Sequence, residues 1–427
     1  MGFKRLAACF MVSGLSLLAA CGGGGSGSDD GKAQIRLVNA SSAYSAGLEL
    51  KVDDASVASA IAYGTASSYS SVTAGSVTSL VQSGGSTISS LYPTLTEGNH
   101  YSLITYGWSG NMKSTILQEE EDAPAENYSK LLVLNLAPDA GTLDVYLTQN
   151  IDDLANATPS ISGVQGSSSS GYNTVASGTY RVRLTGTGKA IDLRLDIPSV
   201  TLTSKQVATL VITPTQGGVL VGSILVTQQG SLSAQSATKS RARLVAAVAD
   251  NASVGATLAD TTLLPTSVAP SIGEYQIVSS GSPTLQVVVN GVPMAAATPA
   301  MSAGSDYTVL VWGEPSAPQI SVLSDDNRLP STSSTAKFRL VNAVARLNAG
   351  LTMTLDYSAI ATNVQPGSAS GVATVASSTS SLLNVNSPTS GTPLYSVSSL
   401  PVQSAGIYTV FMMGGANNVQ GTLRRER

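Results

Sequence analysis

The sequence is poor in cysteine, histidine, aromatic and charged residues. Of its 427 residues two are Cys and one is His, while aromatic residues make up 5% and charged residues 11%. Cys9 and Cys21 both lie near the N-terminus, so the sequence excludes a disulfide framework and a Cys/His zinc site for the fold. The formal net charge is −4 and basic runs are missing. This argues against binding to nucleic acid and against electrostatic attachment to anionic lipid.

The N-terminus carries an export signal. Lys4 and Arg5 precede an uncharged apolar stretch that ends in Leu-Ala-Ala-Cys at Cys21. This pattern resembles the bacterial lipoprotein signal, which implies cleavage after residue 20 and a diacylglycerol and palmitate anchor on Cys21. The alternative is an ordinary signal peptide with an incidental Cys. Residues 21–32 form a Gly/Ser tether, and Gly22 stands where Asp would signal inner-membrane retention, which favours the outer membrane.

Two motifs repeat along the chain. The opening motif, Ile-Arg-Leu-Val-Asn-Ala at residues 35–40, returns at 338–343 and in weaker form at 241–247 and 131–136. A later Tyr motif occurs at residues 101–107, 307–313 and 408–414. The spacing predicts four units, at 33–122, 129–228, 240–327 and 336–427.

The pattern within the units predicts β-strands. Leu48, Leu50 and Val52 alternate with charged residues, as in a strand with one buried face. Asn290-Gly291 between two apolar runs predicts a hairpin with a type I′ turn. Because no helical periodicity follows the leader, we expect an all-β chain of tandem antiparallel β-sandwiches.

Three segments between the units read as linkers that lack alternation, at 119–127, 228–240 and 325–335. Acidic residues occur in two of them, as Glu119 to Asp122 and as Asp325-Asp326, and elsewhere as Asp53-Asp54 and Asp152-Asp153. We interpret these groups as solvated turns and charges that protect strand edges. The alternative is calcium bound by linker carboxylates.

The first unit contains the opening motif, the strand that ends at Asp53, the segment Tyr63-Gly-Thr-Ala-Ser-Ser-Tyr69 and the following Val-Thr-Ala-Gly. In these features it resembles the bacterial domain of unknown function 4397. The resemblance extends through about residue 122 and weakens in the later units. It implies immunoglobulin-like sandwiches in tandem on surface or periplasmic lipoproteins. It implies no known activity and gives no catalytic residues.

The sequence offers little catalytic chemistry. His100 stands beside a predicted Gly98 turn, and the Gly-x-Ser-x-Gly motif of a nucleophile elbow is missing. Ser236-Ala-Thr-Lys239 matches Ser-x-x-Lys but lies in a predicted linker, so we treat it as chance. We predict no catalytic residue, no cofactor and no metal site.

Two types of residue recur at equivalent positions of the units, and each can be interpreted as structural or as functional. Tyr106, Trp312 and Met413 occupy equivalent places, with Trp108 nearby. We expect them to plug the sandwich core or cover an edge, the alternative being a sugar-stacking platform. Asn39, Asn135 and Asn342 recur at a strand end, where an Asn side chain closes a turn.

These observations favour a lipid-anchored cell-envelope protein, on the periplasmic or surface face of the outer membrane. We expect it to act without catalysis, in binding, adhesion or support, with four sandwiches in a row. Its expected partners are the membrane, through the lipid, and a glycan or protein ligand at the sandwich loops. The alternative is an accessory module or hydrolase acting on envelope glycans, which would need a pair of carboxylates.

Overall fold

A computed structural model describes residues 31–149, 154–215, 217–235, 237–347 and 349–427. Cys21, the Asp152-Asp153 pair and Ser236 lie outside the described residues. In the described part, helical structure is confined to two short 3-10 turns, at Pro138–Ala140 and Leu154–Asn156. The all-β prediction is confirmed.

The strands run through the chain in four groups, one in each predicted unit. The first group is β1 (Lys32–Asn39), β2 (Leu48–Val52), β3 (Ala55–Ile61), β4 (Ser70–Thr73), β5 (Gly75–Ser76), β6 (Ser79–Ser83), β7 (Ser86–Leu91), β8 (Thr94–Leu95), β9 (His100–Trp108) and β10 (Asn111–Gln118). The second is β11 (Tyr128–Asn135), β12 (Leu143–Thr148), β13 (Ile161–Val164), β14 (Ser168–Ala176), β15 (Gly178–Gly186), β16 (Lys189–Leu202), β17 (Val207–Pro214), β18 (Val221–Thr227) and β19 (Leu232–Gln235).

The third group is β20 (Lys239–Val248), β21 (Ser253–Leu258), β22 (Thr261–Val268), β23 (Ser271–Ile272), β24 (Gln276–Ser279), β25 (Leu285–Val289), β26 (Val292–Pro293), β27 (Asp306–Glu314) and β28 (Ala317–Asp325). The fourth is β29 (Thr335–Asn342), β30 (Leu351–Leu355), β31 (Ser358–Val364), β32 (Ser368–Ala369), β33 (Ala373–Ala376), β34 (Ser378–Asn386), β35 (Tyr395–Val402), β36 (Ile407–Gly415) and β37 (Asn418–Arg425).

Each unit is built from two main sheets, and the first unit also has the two-stranded sheet β5-β8. In the first unit one sheet has the order β10-β9-β1-β4 and the other the order β3-β2-β6-β7. We call the sheet that holds the opening motif the first sheet and its partner the second sheet. The later units repeat this arrangement, and β19 continues the first sheet of the second unit past residue 228. Four separate apolar cores fill the four sandwiches.

The sheets are antiparallel except at one place in each unit. The opening strand runs parallel to the strand of the Tyr motif, with Ile35 opposite Tyr101 in the first unit and Phe338 opposite Tyr408 in the fourth. In the fourth unit these two rings stack with centroids 4.7 Å apart. The two repeated motifs are therefore neighbouring central strands of the same sheet.

The opening strands are buried on both faces. In β1, Ile35 and Leu37 face the sandwich core, whereas Val38 belongs to a second apolar cluster together with Ala40, which follows the strand. A strand buried on both faces reads as an almost continuous apolar run. The single buried face expected for every strand holds for β2, where Leu48, Leu50 and Val52 are buried and the residues between them are partly exposed.

The second faces of these sheets join the units in pairs. Val38, Ile104 and Tyr106 of the first unit pack against residues that include Val211 and Ile224 of the second. The third and fourth units meet in the same way through a cluster of Val245, Ala247, Leu310, Val341, Ala343, Phe411 and Met413. Burial of a Val, Leu, Ile or Phe side chain contributes about 1.5–3 kcal/mol. The expected sandwiches are present, and in addition sheet faces join the units in pairs.

Loops also connect the two pairs. Thr215 of the second unit donates a hydrogen bond to the carbonyl oxygen of Gly304 in the third, over 2.9 Å. The main-chain nitrogen of Asn327 donates to the carbonyl oxygen of Gly217 over 2.9 Å. These contacts lie between the units, at the ends of the sandwiches. They bring loops of the second and third units to one junction.

Candidate functional site

The faces that join the units carry buried charges. Arg36, Arg243 and Arg339 hold the same place in three opening strands, two residues before the Val that enters the interface cluster. Their relative exposures are 4%, 1% and 9%. A buried guanidinium needs a paired charge and acceptors for its donors. The partners of these arginines therefore decide how the interfaces are held.

The first unit pairs its arginine internally. Nη2 of Arg36 lies 3.0 Å from both carboxylate oxygens of Glu119, and Nε donates to the Ser102 hydroxyl over 2.7 Å. Nη1 donates to the carbonyl oxygen of Gly230 in the second unit over 2.6 Å. Glu119 also accepts a hydrogen bond from the main-chain nitrogen of Gln229. The ion pair of the first unit thus binds the main chain of the second.

The third and fourth units exchange their counter-charges. Nη1 of Arg243 in the third unit donates to Oε2 of Glu426 in the fourth over 2.8 Å. Arg339 of the fourth unit donates to Asp325 of the third. Asp325 also accepts a hydrogen bond from the Thr308 hydroxyl over 2.6 Å. Neither unit can neutralise its interface arginine through this exchange without the other.

The three acidic residues occupy one position in the fold. Each is paired with the residue that precedes the Tyr of the Tyr motif: Glu119 with His100, Asp325 with Asp306, and Glu426 with Ile407. In the second unit the same position is Gln228, whose main-chain nitrogen bonds to Val207. Leu132 replaces the arginine there. The second unit therefore has a neutral pair where the other three have charges.

A tyrosine covers the arginine in two of the units. Tyr69 and Tyr275 directly precede the neighbouring strands β4 and β24 and lie beside Arg36 and Arg243, with guanidinium-to-ring distances of 4.7 Å and 4.4 Å. Tyr275 donates to Oδ2 of Asp325 over 2.7 Å. Burial, reinforced by the Asp325 carboxylate, raises the pKa of Tyr275 well above its usual value. Such tight contacts between a cation and an aromatic ring add to the ion pairs.

The interpretation of the acidic groups as solvated is wrong at two positions. Glu119 and Asp325 have relative exposures of 1% and 3%, because the register of β10 and β28 turns them toward the interface. Asp53 and Asp54 do form an exposed turn with positive φ. Within the described residues, no group of three His, Cys, Asp or Glu side chains is placed to hold a metal ion.

His100 begins β9 instead of standing in the preceding turn. Its Nδ1 lies 2.9 Å from Oε1 of Glu120, and its ring meets Tyr69 edge to face with centroids 5.2 Å apart. The side chain is about a third exposed. Through Tyr69, these contacts place His100 beside the buried pair of Arg36 and Glu119. Neither contact brings a nucleophilic side chain to His100.

The recurring asparagines close turns, as predicted. The side-chain oxygen of Asn39 accepts from the main-chain nitrogen of Ser41, and its amide donates to the carbonyl oxygen of Ile61. Asn135 and Asn342 repeat both contacts in their own units. Each Asn thereby ties the end of the opening strand to the second sheet.

The recurring aromatic position lies between units and does not fill a sandwich core. Tyr106 and Met413 belong to the interface clusters, and Trp312 packs against one of them. Trp108 lines a cavity of about 190 Å³ together with Tyr106 and Asp139. Asp139 is 4% exposed, and its Oδ1 has no hydrogen-bond partner among the described residues. The core-plug and edge-cover predictions are therefore wrong for this position.

Comparison with known proteins identifies the family. The profile described as "Domain of unknown function (DUF4397)" matches residues 29–146 and 240–349, more than half of the chain. The chain belongs to this family. The two DUF4397 matches begin at the opening strands of the first and third units, and each extends into the following unit. Each match therefore covers one unit and the opening part of the next.

Two further comparisons add little to the DUF4397 assignment. No curated protein matches the chain. Among solved structures, the chain is similar to "The Bacillus anthracis TIE protein" at 9% identity and a TM-score of 0.14, over 86% of this chain and 65% of that one. This likeness carries no argument about function. The described residues include no helix with the length and apolarity needed to cross a bilayer.

Proposed function

We propose that this DUF4397 chain is a lipid-anchored cell-envelope protein that works without catalysis, as a rigid binding or supporting body. The observation that carries the proposal is the set of buried ion pairs between units. Flexible tethered modules need no such contacts, whereas a body of fixed shape does, because an unpaired buried charge would otherwise destabilise it. The lipoprotein signal that ends at Cys21 and the Gly/Ser tether support attachment to the outer membrane.

The anchor is tested by labelling cells with palmitate. The wild-type chain and the Cys9→Ala variant should carry label and sediment with membranes, because residue 9 lies in the leader. The Cys21→Ala variant should lose both properties. Label that persists in Cys21→Ala would refute the anchor. Digestion of intact cells with added protease then distinguishes a surface location from a periplasmic one.

A second candidate function is binding of envelope glycans. The cavity beside Trp108 favours it, since Tyr106 offers an aromatic ring and Asp139 offers a carboxylate oxygen that no described residue hydrogen-bonds. Aromatic faces and carboxylates are common in sugar sites. The soluble chain from residue 21 with Cys21→Ala should then bind to a glycan array, and Trp108→Ala should remove that binding. Turnover of an envelope polymer by the same chain would refute the non-catalytic proposal.

A further inference from the structure

A second and larger cavity lies where the second, third and fourth units meet. Its volume is about 680 Å³, within the usual range for small-molecule sites. Six basic and three acidic side chains line it. The chain as a whole has a formal charge of −4. The cavity therefore concentrates positive charge in an acidic protein.

Two of the acidic side chains in the cavity wall are already paired. Asp192 accepts from Nη2 of Arg194 over 2.7 Å, and Glu274 lies within ion-pair distance of Arg424. The third, Glu426, is the counter-charge of Arg243 described above and lies 3.5 Å from Nε of Arg424. Arg241 is paired with Asp306. Among the described residues, Lys189, Arg425 and Arg427 are therefore the basic side chains of the wall that have no carboxylate side chain as a partner.

Arg427 shows the resulting imbalance most clearly. Its Nη1 donates to two main-chain carbonyl oxygens, those of Asp139 and Asn327. Among the described residues no carboxylate side chain lies within ion-pair distance of it. Burial, followed by the like charges of Arg194 and Arg241, lowers the pKa of Arg427 to about 10. The cation is thus held in a place that disfavours its charge.

Arg194 adds an unused donor to the same wall. Its Nη1 donates to the carbonyl oxygen of Val219 over 3.3 Å, but its Nε is buried and has no hydrogen-bond partner in the part of the chain that the structure describes. A buried donor without an acceptor costs about 1–3 kcal/mol. An oxyanion in the cavity would supply acceptors to Arg194 and a counter-charge to Arg427 together.

We propose that this cavity binds a phosphate group carried by a small molecule or by a lipid headgroup. Guanidinium groups match the geometry of phosphate oxygens and bind them through charge-assisted hydrogen bonds. The excess of three basic over acidic side chains suits a phosphate group of about two negative charges better than a single carboxylate. The proposal does not depend on the lipid anchor at Cys21.

Calorimetry with inorganic phosphate tests the shared chemistry. The chain from residue 21 with Cys21→Ala is titrated at constant ionic strength, with chloride as the balancing anion. We expect saturable binding that weakens at least tenfold in Arg427→Gln. Lys189→Gln, at the exposed rim of the cavity, should weaken binding by a smaller factor. Arg346→Gln, an exposed arginine outside the cavity, should bind like the parent.

Vesicle flotation distinguishes the two sources of the phosphate. Flotation with phosphatidylglycerol vesicles but not with phosphatidylcholine vesicles, lost in Arg427→Gln, would assign a lipid headgroup. Binding of inorganic phosphate without flotation would assign a soluble ligand. The proposal is overturned if phosphate gives no saturable signal and no flotation occurs, or if Arg427→Gln and Lys189→Gln bind as well as the parent.

Discussion

The buried pair of Arg36 and Glu119 allows a sharp test of what holds the units together. In the Glu119→Gln variant, Arg36 keeps its burial but loses its counter-charge. Removal of one partner of a buried ion pair typically costs about 3–5 kcal/mol. We therefore expect the free energy of unfolding to fall by about that amount. The measurement is urea unfolding of the soluble chain, followed by circular dichroism.

The second unit provides a natural control for this test. Its interface has Leu132 and Gln228 where the first unit has Arg36 and Glu119. The double variant Arg36→Leu/Glu119→Gln reproduces that neutral pair in the first unit. It also removes the hydrogen bond that Arg36 donates to the carbonyl oxygen of Gly230. We expect the double variant to be more stable than Glu119→Gln alone, by about 2 kcal/mol or more.

Two outcomes would contradict this reasoning. If Glu119→Gln costs less than about 1 kcal/mol, the pair behaves like a solvated surface ion pair and the interface is not dry. If the double variant is as unstable as the sum of the single variants, the two residues are not coupled. Asp54→Asn, an exposed turn residue in the same unit, should leave stability unchanged.

Two further predictions concern Tyr275 and the Asn290-Gly291 turn. Tyr275→Phe removes hydrogen bonds to Asp325 and Asn327 and should lower the unfolding free energy at pH 7 by about 1–2 kcal/mol. Burial raises the pKa of the Tyr275 phenol in the folded chain, so the unfolding free energy of the wild type should also fall as pH rises above about 10. This fall should be smaller in Tyr275→Phe. If the unfolding free energy of the variant depends on pH as steeply as that of the wild type, the prediction is wrong. Gly291→Ala should cost about 1 kcal/mol in a thermal melt because φ is +78°. Gly371→Ala, in open space without a positive φ, should be neutral or slightly stabilising, so equal losses in both would refute the turn argument.

Local pattern predicted the local structure well. The alternation of Leu48, Leu50 and Val52 gave the register of β2, and Asn290-Gly291 gave a hairpin in which both turn residues have positive φ. These features depend on neighbours within a few residues, so the sequence contains the information directly. The parallel pairing of the two motifs joins residues that are 66 positions apart in the first unit and 70 in the fourth, and it was not predicted.

The interfaces between units were not predicted because, in a single sequence, a charged residue buried at an interface gives the same pattern as an exposed one. An arginine inside an apolar strand reads as the exposed face of a half-buried strand, yet Arg36 is buried. Glu119 begins an acidic run in which Glu120 and Asp122 are exposed, so its own burial depends on strand register alone. Tyr275 holds the place of Tyr69, although the rest of the Tyr-Gly-Thr segment has changed. The repetition of arginine in three opening motifs was the available clue.

The exchange of counter-charges between Arg243 and Glu426 and between Arg339 and Asp325 bears on how such a gene can grow or shrink. Recombination between repeats that deleted only the fourth copy would leave Arg243 buried without a carboxylate partner. The shortened protein would be destabilised and selected against. The first copy encodes both members of its pair and escapes this constraint. Copies of the third and fourth type should therefore be gained or lost together. A substitution of an arginine or acid in one copy should be accompanied by a compensating substitution of its partner in the other.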